Sequence, residues 1–436
     1  MAKGAAMLRR FMRPLVVIVS MGIIAAACSS ESSTPPASSG AASGAAPSFD
    51  LKLGDIMSLT GDLGTYGPPI ENGAQAAIQV INDALAEAGV TSVTVEIVAT
   101  EDDQTDAKAG VEAATKLVQT DGVDAIIGPL ASTVTLAVAQ SVTIPNQVVT
   151  ISPSSSASNL SNVKDDGYLY RTAPADAAQA HFLVDLMGEK FGSDATVNVG
   201  VRNDDYGTGF EADFSSAWED AGGTIGQTVE WNPDAPTFDT EAQDLVTGSP
   251  DAWLIVDFPE TFAKVGPALV RTGSWDPTKT FVTDGLRDAT LPKSAGDQAT
   301  EGLLGTSPTT ASNPAAKGFD AVFASTAPSG VKRGTYDVNA FDAVIVAFLA
   351  ALEAGTADST VWKDDLADVS GPGGTQYAYR DLAQAIQDVI AGTDIDYEGT
   401  SGPINLDENG DPSGLYDEWA FEGGQIKVIK AEVPAQ

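Results

Sequence analysis

Ser132 stands just beyond the short run DAIIG (124–128), where the spacing of apolar residues predicts that a helix opens. A strand end leading into a helix start presents free backbone N–H groups and the positive end of the helix dipole. A serine hydroxyl there adds one more donor, and the set suits an anion such as a carboxylate. An ordinary serine N-cap uses the same atoms. The loop Pro153-Ser154-Ser155-Ser156 follows the run VVTIS (148–152) in the same way. Its small residues would let the main chain approach a ligand closely, although serine-rich loops also serve as solvated turns. Asp284 ends the run TFVTD just before Gly285. By itself that reads as a solvated Asp-Gly turn in a chain with 60 acidic residues.

Hydrolytic chemistry finds little support. The single histidine, His181, falls on a predicted helix with no nucleophile motif near it, and neither GxSxG nor HExxH occurs. A secreted hydrolase built on SPSSS and nearby acids is conceivable, but nothing singles out a carboxylate pair of the kind a glycosidase needs. The expectation is a protein that is not an enzyme, with no cofactor and no metal. Asp407, Asn409, Asp411 and Glu418 do fall at positions 1, 3, 5 and 12 of an EF-hand-like loop. Pro412, however, occupies the position where that loop requires glycine, and Asn409-Gly410 suits a hairpin turn better.

The charge balance is extreme: 23 basic against 60 acidic residues, a formal −37. No basic stripe is present to displace counterions from phosphates, so nucleic acid is excluded as a partner. With 43% hydrophobic residues the chain is nevertheless a globular one, its acidity a solvated surface.

Lys3, Arg9, Arg10 and Arg13 precede an apolar run from Leu15 to Ala27 that ends at Cys28, the only cysteine. That is the pattern of a secretory signal, and it resembles a bacterial lipobox, with Ala25 at the position where leucine is usual. The expectation is cleavage before Cys28 and lipidation of its thiol. Loss of the leader leaves 19 basic residues and a formal −41. Residues 28–48, rich in Ser, Ala, Gly and Pro, cannot bury enough apolar surface to fold and read as a flexible tether. The expected location is therefore extracytoplasmic, at the outer face of the cell membrane or in the periplasm.

What remains, about 390 residues, exceeds what one hydrophobic core usually organises. Short β-branched runs alternate with amphipathic stretches throughout, which is α/β grammar. A first series comprises LKLGDIMSL, a helix over 70–85, strand 93–98, a helix over 106–119, strand 124–128, a helix from Ser132 and strand 148–152. A second comprises a helix over 177–190, strand 196–201, a helix over 210–221, strand 252–256, a helix over 260–272 and strand 280–284. The apolar spacing of Phe341, Val344, Ile345, Phe348, Leu349 and Leu352 predicts a helix over 339–353 that returns to the first lobe. The segment PINLDENGDPSGLYDEWAF is expected to form two strands turning at Asn409-Gly410.

In order and spacing, the segments SLTGDLGTYGPPIENGAQAA, DAIIGPLAST, ISPSSSASNL, YLYRTAPADAAQA, NDDYGTGF, VTDGL, EGLLGTSP and DYEGTSGPINLDENGDP resemble the type I periplasmic binding proteins, specifically the leucine/isoleucine/valine-binding group of ABC importers. The resemblance spans Leu51 to Ile429. It implies two Rossmann-like α/β lobes, parallel sheets flanked by helices, joined by three hinge crossings near Arg171, Leu303 and Ser401 and closing on a ligand. The expected division is 1–27 signal, 28–48 tether, 49–171 with 303–401 as the first lobe, and 172–302 with 402–436 as the second.

The resemblance also implies that Ser154 and Ser156, with Ser132, take a ligand carboxylate, that Asp284 takes an ammonium, and that Tyr66, Tyr206 and Tyr336 line the pocket. The implied ligand is a branched-chain amino acid or a related small amide or amino compound. The implied partner is an ABC permease, and the binding protein itself is expected to be a monomer. A ligand-sensing protein feeding a receptor would use the same fold and pocket. One departure stands out: Val256-Asp257-Phe258 replaces a Gly-Gly-Tyr stretch of the branched-chain binder, which leaves the side-chain pocket open.

Overall fold

The computed structural model describes residues 47–309 and 313–434. Cys28, the leader and the tether up to Ala46 lie outside the described residues.

The first sheet holds five parallel strands, β1 (Phe49–Met57), β2 (Val93–Asp102), β3 (Ala125–Ile127), β4 (Val149–Ser152) and β5 (Leu169–Arg171), in the order β2-β1-β3-β4-β5. Strands β3 and β4 are buried at every residue, as parallel strands covered by helices on both faces must be. Helix α1 (Gly67–Ala88) begins with Pro68 and Pro69, whose missing N–H groups cost nothing in a first turn. It buries Ile70, Ala74, Ala77, Ile81 and Leu85 and ends at Gly89, a left-handed cap whose N–H reaches the carbonyls of Leu85 and Ala86. Helices α2 (Ala107–Lys116) and α3 (Ser132–Val138) pack against each other.

The second sheet has seven strands. β6 (Thr196–Arg202), β7 (Thr224–Trp231), β8 (Ala252–Val256), β9 (Thr280–Val282) and β10 (Leu304–Pro308) run parallel, while β14 (Leu415–Glu422) and β15 (Gln425–Pro434) close one side antiparallel, in the order β15-β14-β10-β9-β8-β6-β7. The helices that flank it include α4 (Asp176–Phe191), α5 (Asp205–Asp220) and α6 (Pro259–Thr272). Because β10 belongs to this sheet, the second crossing leaves after Pro308, five residues beyond the place expected near Leu303. The expected turn strands are also corrected. Residues 402–403 (β13) pair with β12 (Ile395–Gly399), which runs beside β11 (Thr375–Tyr377), whereas 415–422 pair with β10 and β15. The hairpin turn is Gly423-Gly424, with φ of 62° and 69°, the sign a tight two-residue turn requires.

Helix α7 (Asp337–Ala354) is buried from Asp337 through Leu352 and packs on α1, on β3 and on α8 (Leu382–Ile390) of the first lobe. Among the described residues no single helix is long and apolar enough to cross a membrane.

The crossings are bolted by polar groups. Arg171, at the end of β5, holds Asp411 of the third crossing through Nε (2.5 Å) and NH2 (2.7 Å) and donates from NH1 to the carbonyls of Ser155 (3.3 Å) and Ala157 (3.0 Å). The Arg171 N–H also bonds the carbonyl of Gly410 at 3.1 Å. Asn409-Gly410 therefore serves as a tether at the crossing, with Asp411 committed to Arg171. Buried Asp342 on α7 accepts from the Tyr397 hydroxyl (2.8 Å), the N–H of Thr400 (2.9 Å) and both N–H and hydroxyl of Ser401 (2.6 Å each). Burial outweighs those donors and pushes its carboxyl up to about 6.

Candidate functional site

The loops after β1, β3 and β4 of the first lobe face those after β6, β8 and β9 of the second. Between them lies a chamber lined by Leu63, Tyr66, Leu130, Ser132, Ser154, Ser156, Tyr206, Phe258, Asp284, Gly285 and Tyr336. All seven ligand-site residues expected from the sequence thus border one cavity. The space it leaves for the centres of water molecules is about 20 Å³, room for roughly one water. Anything larger requires the walls to separate.

Ser132 is the first residue of α3, as its position after β3 suggested. The chain reaches it through Gly128, whose φ of 103° and whose approach to the carbonyl of Ile56 leave no space for a side chain. The Ser132 hydroxyl oxygen accepts the N–H of Ala157 at 3.2 Å, so its proton is free to point into the chamber. Ser154 donates its hydroxyl to the carbonyl of Leu130 at 2.9 Å. Ser156 is buried, and its carbonyl accepts the N–H of Asp176 at the start of α4 (2.8 Å).

Opposite these serines, Asp284 opens the turn after β9 and is only 3% exposed. It is therefore a buried group and not the solvated turn that its Asp-Gly sequence allows. Tyr336 donates to Oδ2 at 2.7 Å and Tyr206 to Oδ1 at 3.1 Å. Tyr66 donates to the main-chain carbonyls of Asp284 (2.9 Å) and Gly285 (3.2 Å). Tyr66 and Tyr336 belong to the first lobe, so two phenols already bridge the lobes. Desolvation raises the Asp284 carboxyl above the usual range even though the tyrosine hydroxyls pull it down. The same burial, with Asp284 nearby, holds Tyr206 and Tyr336 well above ordinary phenols and keeps them protonated donors. Tyr336 sits at φ 70°, a left-handed backbone that costs a tyrosine about 1 kcal/mol or more and is tolerated where the surroundings fix it.

Gly285 leaves no space for a side chain, since a Cβ would lie 2.7 Å from the carbonyl of Asp257 and 3.0 Å from the Tyr206 hydroxyl. The departure at 256–258 acquires a meaning here. Phe258 stacks on Tyr206, centroids 5.1 Å apart and planes 11° from parallel, and forms the chamber's aromatic wall. Asp257 points the other way, fully buried against Arg202, and burial pushes it up to about 8.

Sequence reasoning missed Leu63, Leu130 and Phe258 as wall residues, and it missed Asp176. The last is fully buried, and desolvation together with the charge of Asp284 raises it well above an ordinary carboxyl, against the pull of the Ser156 hydroxyl. Its only sequence signal was its place at the first crossing.

Residues 50–393 match the family model described as periplasmic binding protein. The chain belongs to the periplasmic binding protein family. Among curated relatives, the Leu/Ile/Val-binding protein BraC3 of Rhizobium johnstonii is 33% identical over 174 residues, which are 40% of this chain and 45% of that protein. The chain thus aligns with under half the length of that relative. Among solved structures, a leucine-binding protein of Thermotoga maritima superposes with a TM-score of 0.72 at 22% identity, covering 88% of this chain and 99% of the other. The branched-chain amino acid transporter substrate-binding protein of Streptococcus pneumoniae, in complex with isoleucine, gives 0.69 at 20% identity over 87% and 99%. At such identities these structures speak for the fold, and the fold of this periplasmic binding protein is the type I arrangement: two α/β lobes with a chamber at their interface.

Proposed function

We propose that the chain is an extracytoplasmic substrate-binding lipoprotein of an ABC importer, anchored at Cys28, which captures an α-amino acid between its lobes and delivers it to a membrane permease. Asp284 carries the reading. It is a buried carboxylate held by tyrosine hydroxyls, and among the described residues no Lys or Arg pairs with it. A ligand ammonium supplies the missing counter-charge. The Ser132 hydroxyl, the open end of α3 and the Ser154–Ser156 loop face Asp284 across the chamber and suit the carboxylate. The zwitterion then joins the lobes. Leu63, Leu130 and Phe258 leave an apolar lining for the side chain, which fits a branched-chain amino acid, the ligand class named for the relatives.

Calorimetry on the unlipidated body with L-leucine, L-isoleucine and L-valine, alongside 4-methylpentanoate, tests this directly. The deaminated acid should bind at least roughly 30-fold more weakly than L-leucine, because it leaves the Asp284 charge buried and unpaired. Equal affinities for the two would overturn the ammonium role. Small-angle scattering should show a smaller radius of gyration with saturating amino acid, and an open shape in both states would contradict closure. Cys28→Ser should abolish detergent-phase partitioning of the mature protein; normal partitioning would remove the anchor from the reading.

A further inference from the structure

Arg202 ends β6 in the second lobe with its side chain 4% exposed, and four groups crowd it. Nε lies 2.5 Å from Asp204 Oδ2, NH1 3.7 Å from Asp257 Oδ1, and the guanidinium carbon 3.8 Å from the centre of the Phe258 ring, all within the second lobe. The fourth group comes from the other lobe. NH2 donates at 3.0 Å to Oδ2 of Asp62, in the loop between β1 and α1 that also supplies Leu63 and Tyr66 to the chamber. Asp62 Oδ2 is gripped again from the second lobe by the Thr261 hydroxyl of α6 at 3.2 Å.

The contacts form a continuous stack from the lobe boundary to the ligand chamber. Asp62 touches Arg202, Arg202 lies on Phe258, Phe258 lies on Tyr206, and the Tyr206 hydroxyl meets Asp284 Oδ1 and the N–H of Gly285. Planar guanidinium suits this position because it pairs with carboxylates at its edge while stacking on an aromatic face.

We propose that Arg202 is a positioning residue that couples lobe closure to the chamber. The Asp62–Arg202 bond exists only when the lobes are together, and its formation presses Phe258 onto Tyr206 so that the phenol is aligned on Asp284. Asp62, which does not line the chamber, thereby governs how long a ligand stays. The proposal rests on the clamp reading of the preceding subsection and adds to it a latch outside the ligand's contacts.

The test compares wild type with Asp62→Ala and Asp62→Glu, a substitution in a partly exposed loop position that should not impair folding. Three readouts apply: scattering of the free protein, amide exchange at Gly285 and Leu286, and stopped-flow kinetics with L-leucine. In Asp62→Ala, dissociation should accelerate by about tenfold while association stays within about twofold, the split expected for a contact made after encounter. Exchange at Gly285 should rise, and any closed fraction of the free protein should fall. Asp62→Glu, which keeps the charge, should restore most of the wild-type dissociation rate. If Asp62→Ala leaves scattering, Gly285 exchange and dissociation as in wild type, the latch is wrong. Failure of wild type to bind L-leucine would count against the ligand assignment alone, because exchange and scattering still decide the latch without it.

Discussion

On the first lobe the chamber wall carries small hydroxyls at strand ends, each with one main-chain partner: Ser132 accepts from Ala157 and Ser154 donates to Leu130. On the second lobe it is one carboxylate, Asp284, buried and short of a counter-charge. The first wall is held by main-chain partners and keeps the Ser132 proton for a ligand. The second buries an acid whose ionised form a ligand cation would pair. On the proposed reading the two walls differ in what they would contribute to recognition: the serines shape and a weak anion preference, the acid most of the discrimination.

The largest expected break in that asymmetry is Asp284→Ala. Removing the counter-charge of a desolvated ammonium should cost about 2–5 kcal/mol, or roughly 30-fold to several thousand-fold in affinity. Calorimetry with the best amino-acid ligand measures it, and binding within about threefold of wild type would abolish the distinction between the walls. Tyr336→Phe comes next. It deletes the 2.7 Å donor to Oδ2 and leaves Asp284 less able to stay ionised, so affinity should drop by about tenfold, the loss of one charge-assisted hydrogen bond.

A third difference appears in titration. Asp257, behind the second wall, is pushed up to about 8 by burial. Between its unfolded value near 4 and about 8, the folded chain keeps a proton that the unfolded chain releases, so stability is greatest below that window and falls as pH rises through it. The thermal midpoint should drop on going from pH 6 to pH 9, and Asp257→Asn should flatten the drop. A mutant slope as steep as wild type would remove Asp257 from the account. The smallest effect belongs to the serine wall: Ser132→Ala should cost about 1 kcal/mol in binding, because the backbone donors at the start of α3 remain. A loss matching that of Asp284→Ala would mean that the serine side is the dominant one.

The sequence was most informative where local chemistry and strand order coincide. Ser132, Ser154, Ser156 and Asp284 each follow a strand end in an α/β alternation, and such ends converge on one crevice, so their meeting in one chamber follows from topology. The apolar wall was less legible: Leu63, Leu130 and Phe258 look like any core residue until the two lobes face each other. β7 was missed because TIGQTVEW is mostly exposed and carries little of the apolar signal of a central strand. The misplaced hairpin has a specific cause. Asn409-Gly410 has good turn chemistry, but tertiary contacts with Arg171 use it at a crossing, while the true turn, Gly423-Gly424, lies between strands whose pattern is broken by Asp417 and Glu418. The left-handed Tyr336 had no sequence signal at all, since a tyrosine adopts that backbone only when its surroundings impose it.

The Arg171–Asp411 bolt has a mechanical corollary. Two bodies joined by three independent strands of chain can bend, shear and twist, three soft motions among which any push is shared. Fastening the first connector to the third with a partly buried bidentate pair would make those two a single stiff axle and leave the span after Pro308 to follow. The proposed closure would then be a rotation about that axle, with displacement at the chamber mouth reduced to one angle.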